Sequence, residues 1–349
     1  MATLTDTAIF SKRVLNVFIT VLGLGILTFV AFRYGKTIKN ALFPPPPAPA
    51  TVAFSKIPRL DLSEGMKIQS PITYSIETVS GELPDLPGQA KVFSVSEFES
   101  YFGALERTKI KVAGIGFNQA PIEISGSVVK FLDPREPGRN LTVDILNGNF
   151  KLDSNFRNDE KIKQSKPSSV DAAIGMASGF LGTMDIDITE YPSNNAETIK
   201  FLVENGKLTE APAISSTNII QVNFRRRNID KIPVIAPVTR ETLVRAFVSR
   251  DRVVAAEIDR PSIKRYKFAT YPLKGVDRAF SDLKNGKGAL NRQQDGSRFP
   301  IRDITLGYLD SKKTQGYFQP IYIFKSDHDL VAYVSAVDDS WIQDAIPLQ

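Results

Sequence analysis

The one histidine of the chain, His328, lies between Asp327 and Asp329 in the stretch KSDHDL. An imidazole beside carboxylates is the pairing from which a general base is built. A triad also needs a buried nucleophile in reach, which adjacency in sequence does not supply, so the expected setting is a solvated hairpin tip. Three consecutive residues cannot easily converge on one ion, so the same stretch is not a metal motif. GIGFNQ, Gly114 to Gln119, lacks the third glycine of a dinucleotide loop and reads as a packing or bulge signal within a strand. Asp338 and Asp339 are adjacent carboxylates with no evident partner to separate their pKa values. No P-loop, HExxH or GxSxG sequence is present, and without cysteine there is neither a thiolate metal site nor a cysteine nucleophile. The chemistry-bearing residues therefore predict no catalytic, cofactor or metal site and a non-enzymatic protein.

One charged feature stands apart. Residues 225–267 hold twelve Lys or Arg against five Asp or Glu, in a chain whose net charge is +6. Arg225, Arg226, Arg227, Arg250, Arg252, Lys264 and Arg265 are the candidate surface for an anionic partner, either lipid or a wall polymer. Nucleic acid is disfavoured because aromatic residues are not interleaved as a stacking platform requires. The competing reading makes these residues the solvent faces of strands, their apolar stems covering the sheet.

The first element that positions all of this is a membrane segment. Val14 to Phe32, VLNVFITVLGLGILTFVAF, carries no charge and only Asn16, Thr20 and Thr28 as polar interruptions. At about 1.5 Å per residue it spans roughly 29 Å, close to the hydrocarbon thickness of a bilayer. It reads as a transmembrane helix, with Lys12 and Arg13 before it, Arg33, Lys36 and Lys39 after it, and Tyr34 at the interface. A cleaved signal peptide is the competitor, since Ala48 to Ala50 has a small-x-small form, but the apolar run is long and ends far from that site. Pro44 to Pro47 and Pro49 fix φ and remove donors, predicting a polyproline II spacer of some 20 Å. Flanking charge is nearly balanced, so the tail–anchor–spacer layout places the large domain outside the cytoplasm, with a cytoplasmic domain as the alternative.

The remainder is dominated by period-two alternation. NLTVDIL and NFKLDSNF flank Asn147-Gly148, and TIKFLVENGKLTEA repeats the device at Asn205-Gly206, predicting two hairpins. IRDITLGYL, YFQPIYIF and LVAYVSAV predict an antiparallel meander, with Pro320 favouring an edge or bulge. Helices are expected from a capping box at Ser96 and Glu99 through Leu105, over 170–182, and over 276–283 with Gly286 as the stop. Helix followed by three strands occurs twice, with Phe102 matching Phe280 and Gly116-Phe117 matching Gly307-Tyr308. The fold class predicted is thus α+β: one N-terminal transmembrane helix, then two related units, each a helix packed on an antiparallel sheet. The expected division is a tail 1–13, the transmembrane helix 14–32, a juxtamembrane and polyproline spacer 33–50, a first unit 51–160, a connecting helix and hairpin 161–212, and a second unit 213–349.

YPLKGVDRAFSDLKNGKG, ITLGYLDS and YFQPIYIF, within Tyr271 to Val337, resemble the C-terminal region of the YycH/YycI family of single-span extracytoplasmic regulatory proteins. The chain is also similar to uncharacterised bacterial envelope proteins. The resemblance implies a binding or regulatory module in the bacterial cell membrane that modulates a membrane partner such as a sensor kinase. Expected partners are the lipid bilayer, a membrane protein and an anionic polymer, with no cofactor. A structural envelope protein that binds anionic polymer or self-assembles is the alternative.

Overall fold

The computed structural model describes residues 4–42, 48–69, 71–95, 102–294, 296–313 and 316–343. It divides into two compact units, Met1–Pro49 and Ala50–Gln349. The predicted proline spacer at 44–47 and the capping box at Ser96 and Glu99 lie outside the described residues.

In the first unit, α1 (Leu4–Leu42) extends well past the apolar run at both ends. Its Val14–Thr37 stretch is long and apolar enough to cross a membrane, by length and composition. The hydroxyls of Thr20 and Thr28 donate back to the carbonyls of Asn16 and Leu24, at 2.8 and 2.9 Å, so both are satisfied within the helix, as a lipid surrounding requires.

The second unit is mixed α and β. Its largest sheet is antiparallel throughout, in the order β4 (Ile122–Ser125), β5 (Val128–Leu132), β6 (Asn140–Asp144), β7 (Phe150–Asp153), β13 (Val253–Ile258), β12 (Val244–Val248), β10 (Ile219–Phe224), β8 (Ala196–Glu204), β9 (Lys207–Glu210). Alternation buries Val129, Phe131, Leu141, Val143, Phe150 and Leu152 on one face. Across that face lies α4 (Val170–Thr183), capped by Ser169, which accepts from the Ala172 amide at 3.0 Å. Ala173, Ala177 and Leu181 recur every fourth residue, and the two alanines let the helix backbone approach the sheet closely.

A second sheet runs β1 (Met66–Lys67), β15 (Ala289–Leu290), β20 (Val331–Ser335), β19 (Pro320–Lys325), β17 (Asp303–Leu309), β11 (Val234–Ile235). α5 (Val276–Lys284) packs on it through Val276, Ala279 and Leu283, and Gly286 past its end has φ 73°. Smaller sheets join β14 (Ile263–Pro272), β3 (Gln89–Val95) and β18 (Tyr317–Phe318), and β16 (Arg298–Ile301) with β2 (Thr73–Ile76). The short α3 (Glu160–Gln164) is capped by Asp159.

Several expectations are corrected. The first of the three strands expected after the helix ending at Leu105, IKVAGIGF (Ile110 to Phe117), is not a strand: α2 (Ala104–Ala113) runs through its first half and Gly116, φ 99°, turns the chain. ALERTKIKVA is rich in helix formers and buries Ala104 and Val112, eight residues apart on one helical face. Phe102, matched in sequence to the half-buried Phe280, is fully exposed. Pro320 opens a central strand rather than an edge, since a first residue is the other position where a missing donor is tolerated. The predicted boundaries between residues 160 and 213 cut through a sheet, because β7 pairs with β13 through Phe150–Ile258 and Leu152–Ala256. Strands left with unpaired edges found partners far away in sequence. The sheets are composed otherwise: β1 to β3 pair with strands from β14 to β20, β11 joins the same sheet as β17, and the nine-stranded sheet is built from the other strands between.

Candidate functional site

β10 is the strand from which the site grows. After Phe224 the chain leaves the nine-stranded sheet, adds β11 beside β17 in parallel, and returns as β12 at Val244. Pro233 and Pro237 bracket β11, so it can pair over only two residues, Val234 with Tyr308 and Ile235 with Leu309. Tyr308 and Asp310 donate their amides to the carbonyls of Pro233 and Ile235, at 2.9 and 2.8 Å. This crossover, residues 225–243, is the covalent bridge between the two large sheets.

Arg226 fixes its root. The side chain is 2 % exposed and makes three hydrogen bonds to three separate segments: Nε to Asp310 Oδ1 at 3.0 Å, Nη1 to Glu190 Oε1 at 2.8 Å, Nη2 to the Pro261 carbonyl at 2.9 Å. Its guanidinium also lies 5.0 Å from the Tyr191 ring centroid. Burial by itself would raise the Glu190 carboxyl, but the guanidiniums of Arg265 and Arg226 outweigh it and hold the group below its ordinary value of 4.5. Burial dominates at Asp310 and pushes that carboxyl up, although Arg226 opposes it. The phenol of Tyr191 and Nε of Arg260 are buried there with no hydrogen-bond partner among the described residues.

Beyond this root, two cavities share Ala236 and Val238 as a wall. The first, of about 350 Å³, has an apolar side from Pro237 and Leu243 and a charged side from Glu64, Glu241, Glu257, Asp259, Arg245, Lys312 and Lys313. Most of these charges already engage one another or the backbone: Arg245 with Glu257 at 2.5 Å, Lys312 with Asp259 at 2.9 Å, and Glu64 with the amides of Lys312 and Lys313. Glu241 is exposed and has no ion pair among the described residues. The lining therefore carries four carboxylates against three cations in a protein whose net charge is positive. The second cavity, of about 600 Å³, is bounded by Arg225, Arg240, Asn291, Lys325 and Asp329. Asn291 is saturated there, donating to Thr239 Oγ1 at 2.6 Å and to the Asp329 carbonyl at 2.8 Å while accepting from the Val331 amide at 2.8 Å. Its wall is thus set before any ligand arrives.

The seven basic residues singled out in the sequence do not form one surface. Arg226 is buried, and Arg265 and Arg227 converge with it on Glu190, at 2.8 and 3.7 Å. Arg225 grips Glu197 with two bonds of 2.7 Å at the second cavity. Arg252 pairs with Glu136, at 2.6 and 2.9 Å, near the turn that joins β12 to β13. Arg250 and Lys264 have no ion pair among the described residues. The segment's surplus charge is offset by carboxylates from elsewhere in the chain, which no local count can reveal. Glu64, Glu241 and Lys312 had no signal of their own. The paired prolines in KIPVIAPVTRET were the one cue that the chain breaks out of its sheet here.

His328 sits exposed in a turn at φ 55°, and Asp327 bonds Arg302 at 3.0 Å. Asp338, expected to lack partners, accepts from Ser340 at 2.7 Å and from Arg278. Burial would raise its carboxyl, but the bonds from Ser340 and Arg278 hold it below the ordinary range. Among the described residues no three His, Asp or Glu side chains converge as a metal site requires. No family model matches this chain, and no curated protein matches it.

Proposed function

We propose that this chain is a membrane-anchored, non-enzymatic binding module of the bacterial cell surface, extracytoplasmic, which regulates a membrane partner such as a sensor kinase. The observation that carries the reading is the pair of cavities about the 225–243 crossover, whose wall is held from both large sheets. Supporting it are linings in which most charges are already paired, an arrangement suited to recognition, where prepaid positioning favours affinity. The excess carboxylate at Glu241 selects an amine-bearing, polar ligand whose apolar part lies on Val238 and Leu243. A basic, exposed polypeptide segment of a partner has that chemistry.

The test uses the full chain in lipid nanodiscs with fluorescent decalysine and decaglutamate as probes. Decalysine is expected to bind despite the protein's positive charge, and Glu241→Gln to weaken it roughly fivefold, about the worth of one partly exposed ion pair. Preferential binding of decaglutamate, unchanged by Glu241→Gln, would overturn this reading and favour the anionic-polymer alternative.

A further inference from the structure

β14 pairs with β3 out of step. Ile263 faces Val95 and Phe268 faces Phe93, so four residues of β14, Lys264 to Lys267, lie opposite the single Ser94. Such an excess must bulge out of the sheet. Arg265 pins the bulge inward, bonding Glu190 at 2.8 and 3.0 Å and the Arg227 carbonyl at 3.3 Å. The residues beside it are left outside: Tyr266 is 82 % exposed, Phe268 is 43 % exposed, and Lys267 is exposed. Lys91 lies 4.4 Å from the Phe268 ring centroid and pairs with Asp230 at 2.7 Å. Lys231 and Arg227 are exposed close by along the chain, with Asp230 an exposed carboxylate between them.

The second observation is where the folded unit begins. Thr51 and Val52 are bonded to Thr270 of the same strand: the Thr51 amide to Thr270 Oγ1 at 2.8 Å, the Val52 amide to the Thr270 carbonyl at 3.0 Å. Tyr266 precedes Thr270 by four residues, so the two backbones lie within about 14 Å of each other. Helix α1 ends at Leu42, and the nine steps of chain to Thr51 reach at most about 32 Å. The exposed Tyr266, Lys267 and Phe268 thus belong to the same strand that receives the chain coming from α1.

We propose that the Lys264–Phe268 bulge docks the Ala50–Gln349 unit on an anionic lipid surface, its lysines facing headgroup phosphates and Tyr266 and Phe268 entering the interface. Tyrosine and phenylalanine beside lysine suit that boundary, where one end of the side chain is apolar and the other wet. The proposal rests on the membrane-anchored reading above.

The chain contains no cysteine, so Tyr266→Cys gives a unique labelling site. The full chain carrying an environment-sensitive fluorophore there is reconstituted in vesicles of phosphatidylcholine with or without phosphatidylglycerol. Flotation after an alkaline wash first reports whether α1 anchors the protein; loss of the protein from the vesicles would overturn the anchored reading together with the docking built on it. For floating protein, we expect doxyl-lipid quenching of at least about twofold with phosphatidylglycerol, lost in 0.5 M salt, whose screening length is a few ångströms, and lost in Lys264→Glu/Lys267→Glu. The charge-reversed protein should keep the parent's thermal midpoint, which separates loss of docking from unfolding. Floating protein whose label is unquenched, or equally quenched in pure phosphatidylcholine, would overturn the docking proposal and leave the anchor standing.

Discussion

Arg226 shows how much one side chain can carry. Its three bonds reach Glu190, Asp310 and Pro261, residues that belong to different parts of the fold. Truncating it would leave two carboxylates buried against each other, and breaking a buried pair in this way costs about 3–5 kcal/mol. Arg226→Ala should therefore lower the unfolding free energy of the full chain, measured by urea titration, by an amount of that order; a change under about 1 kcal/mol would mean that the cluster relaxes or admits water. The same cluster fixes a pH dependence. Glu190 is held below its ordinary value of 4.5, so its contribution is present above that pH and disappears as the pH falls through the depressed folded value. Asp310 is shifted upward and acts in the opposite sense, favouring the folded state more as it takes up its proton. Replacing Glu190 with Gln removes the first effect and also takes away one of the charges that raise Asp310. The variant should begin less stable at neutral pH and lose less stability than the parent on going below pH 4.5, as followed by urea unfolding across that range.

Among the elements, α4 presents two faces with opposite demands. Ala177 is fully buried against the nine-stranded sheet, where a larger side chain has no room, so Ala177→Leu should cost about 1–3 kcal/mol. Gly179, two residues on, is exposed, and an added Cβ there would meet nothing within 4 Å. Gly179→Ala should stabilise by about 0.5–1 kcal/mol, since it removes backbone freedom from the unfolded chain and improves helix propensity. Equal signs for the two substitutions in thermal unfolding would show that the helix does not sit as described. The two Asn-Gly hairpins teach a related lesson about local signals. Asn205 and Gly206 both have positive φ, 50° and 74°, and join β8 directly to β9. At Asn147-Gly148 only the glycine does, at 70°, because Asp144 accepts the Leu146 amide and Asn147 Nδ2 and opens a longer loop.

For the whole molecule, β1 to β3 depend on strands some two hundred residues later, whereas all nine strands of the large sheet come from residues 122–258. A fragment 102–262 should thus unfold cooperatively by circular dichroism, weakened by the loss of Asp310, while a fragment 51–160 should not fold. The reverse result would restore the predicted division into 51–160 and 213–349. The sequence by itself determined what depends on neighbours along the chain: the apolar stretch of α1, the 3.6-residue periods of α4 and α5, the turn at Asn205-Gly206, the alternation of β6, and the presence of strands at β17 and β20. Those signals are local because helix hydrogen bonds, turn dihedrals and strand pleat all close within a few residues. It misassigned Ile110 to Phe117, where alternation and helix propensity compete in a short window. Only the tertiary structure decided the strand order, the crossover at 225–243 and the fate of the basic segment. Arg226 meets Asp310 across 84 positions and Arg252 meets Glu136 across 116. Side-chain charges interact through space, so whether a run of cations stays free or is neutralised depends on which distant carboxylates the sheets carry up to it.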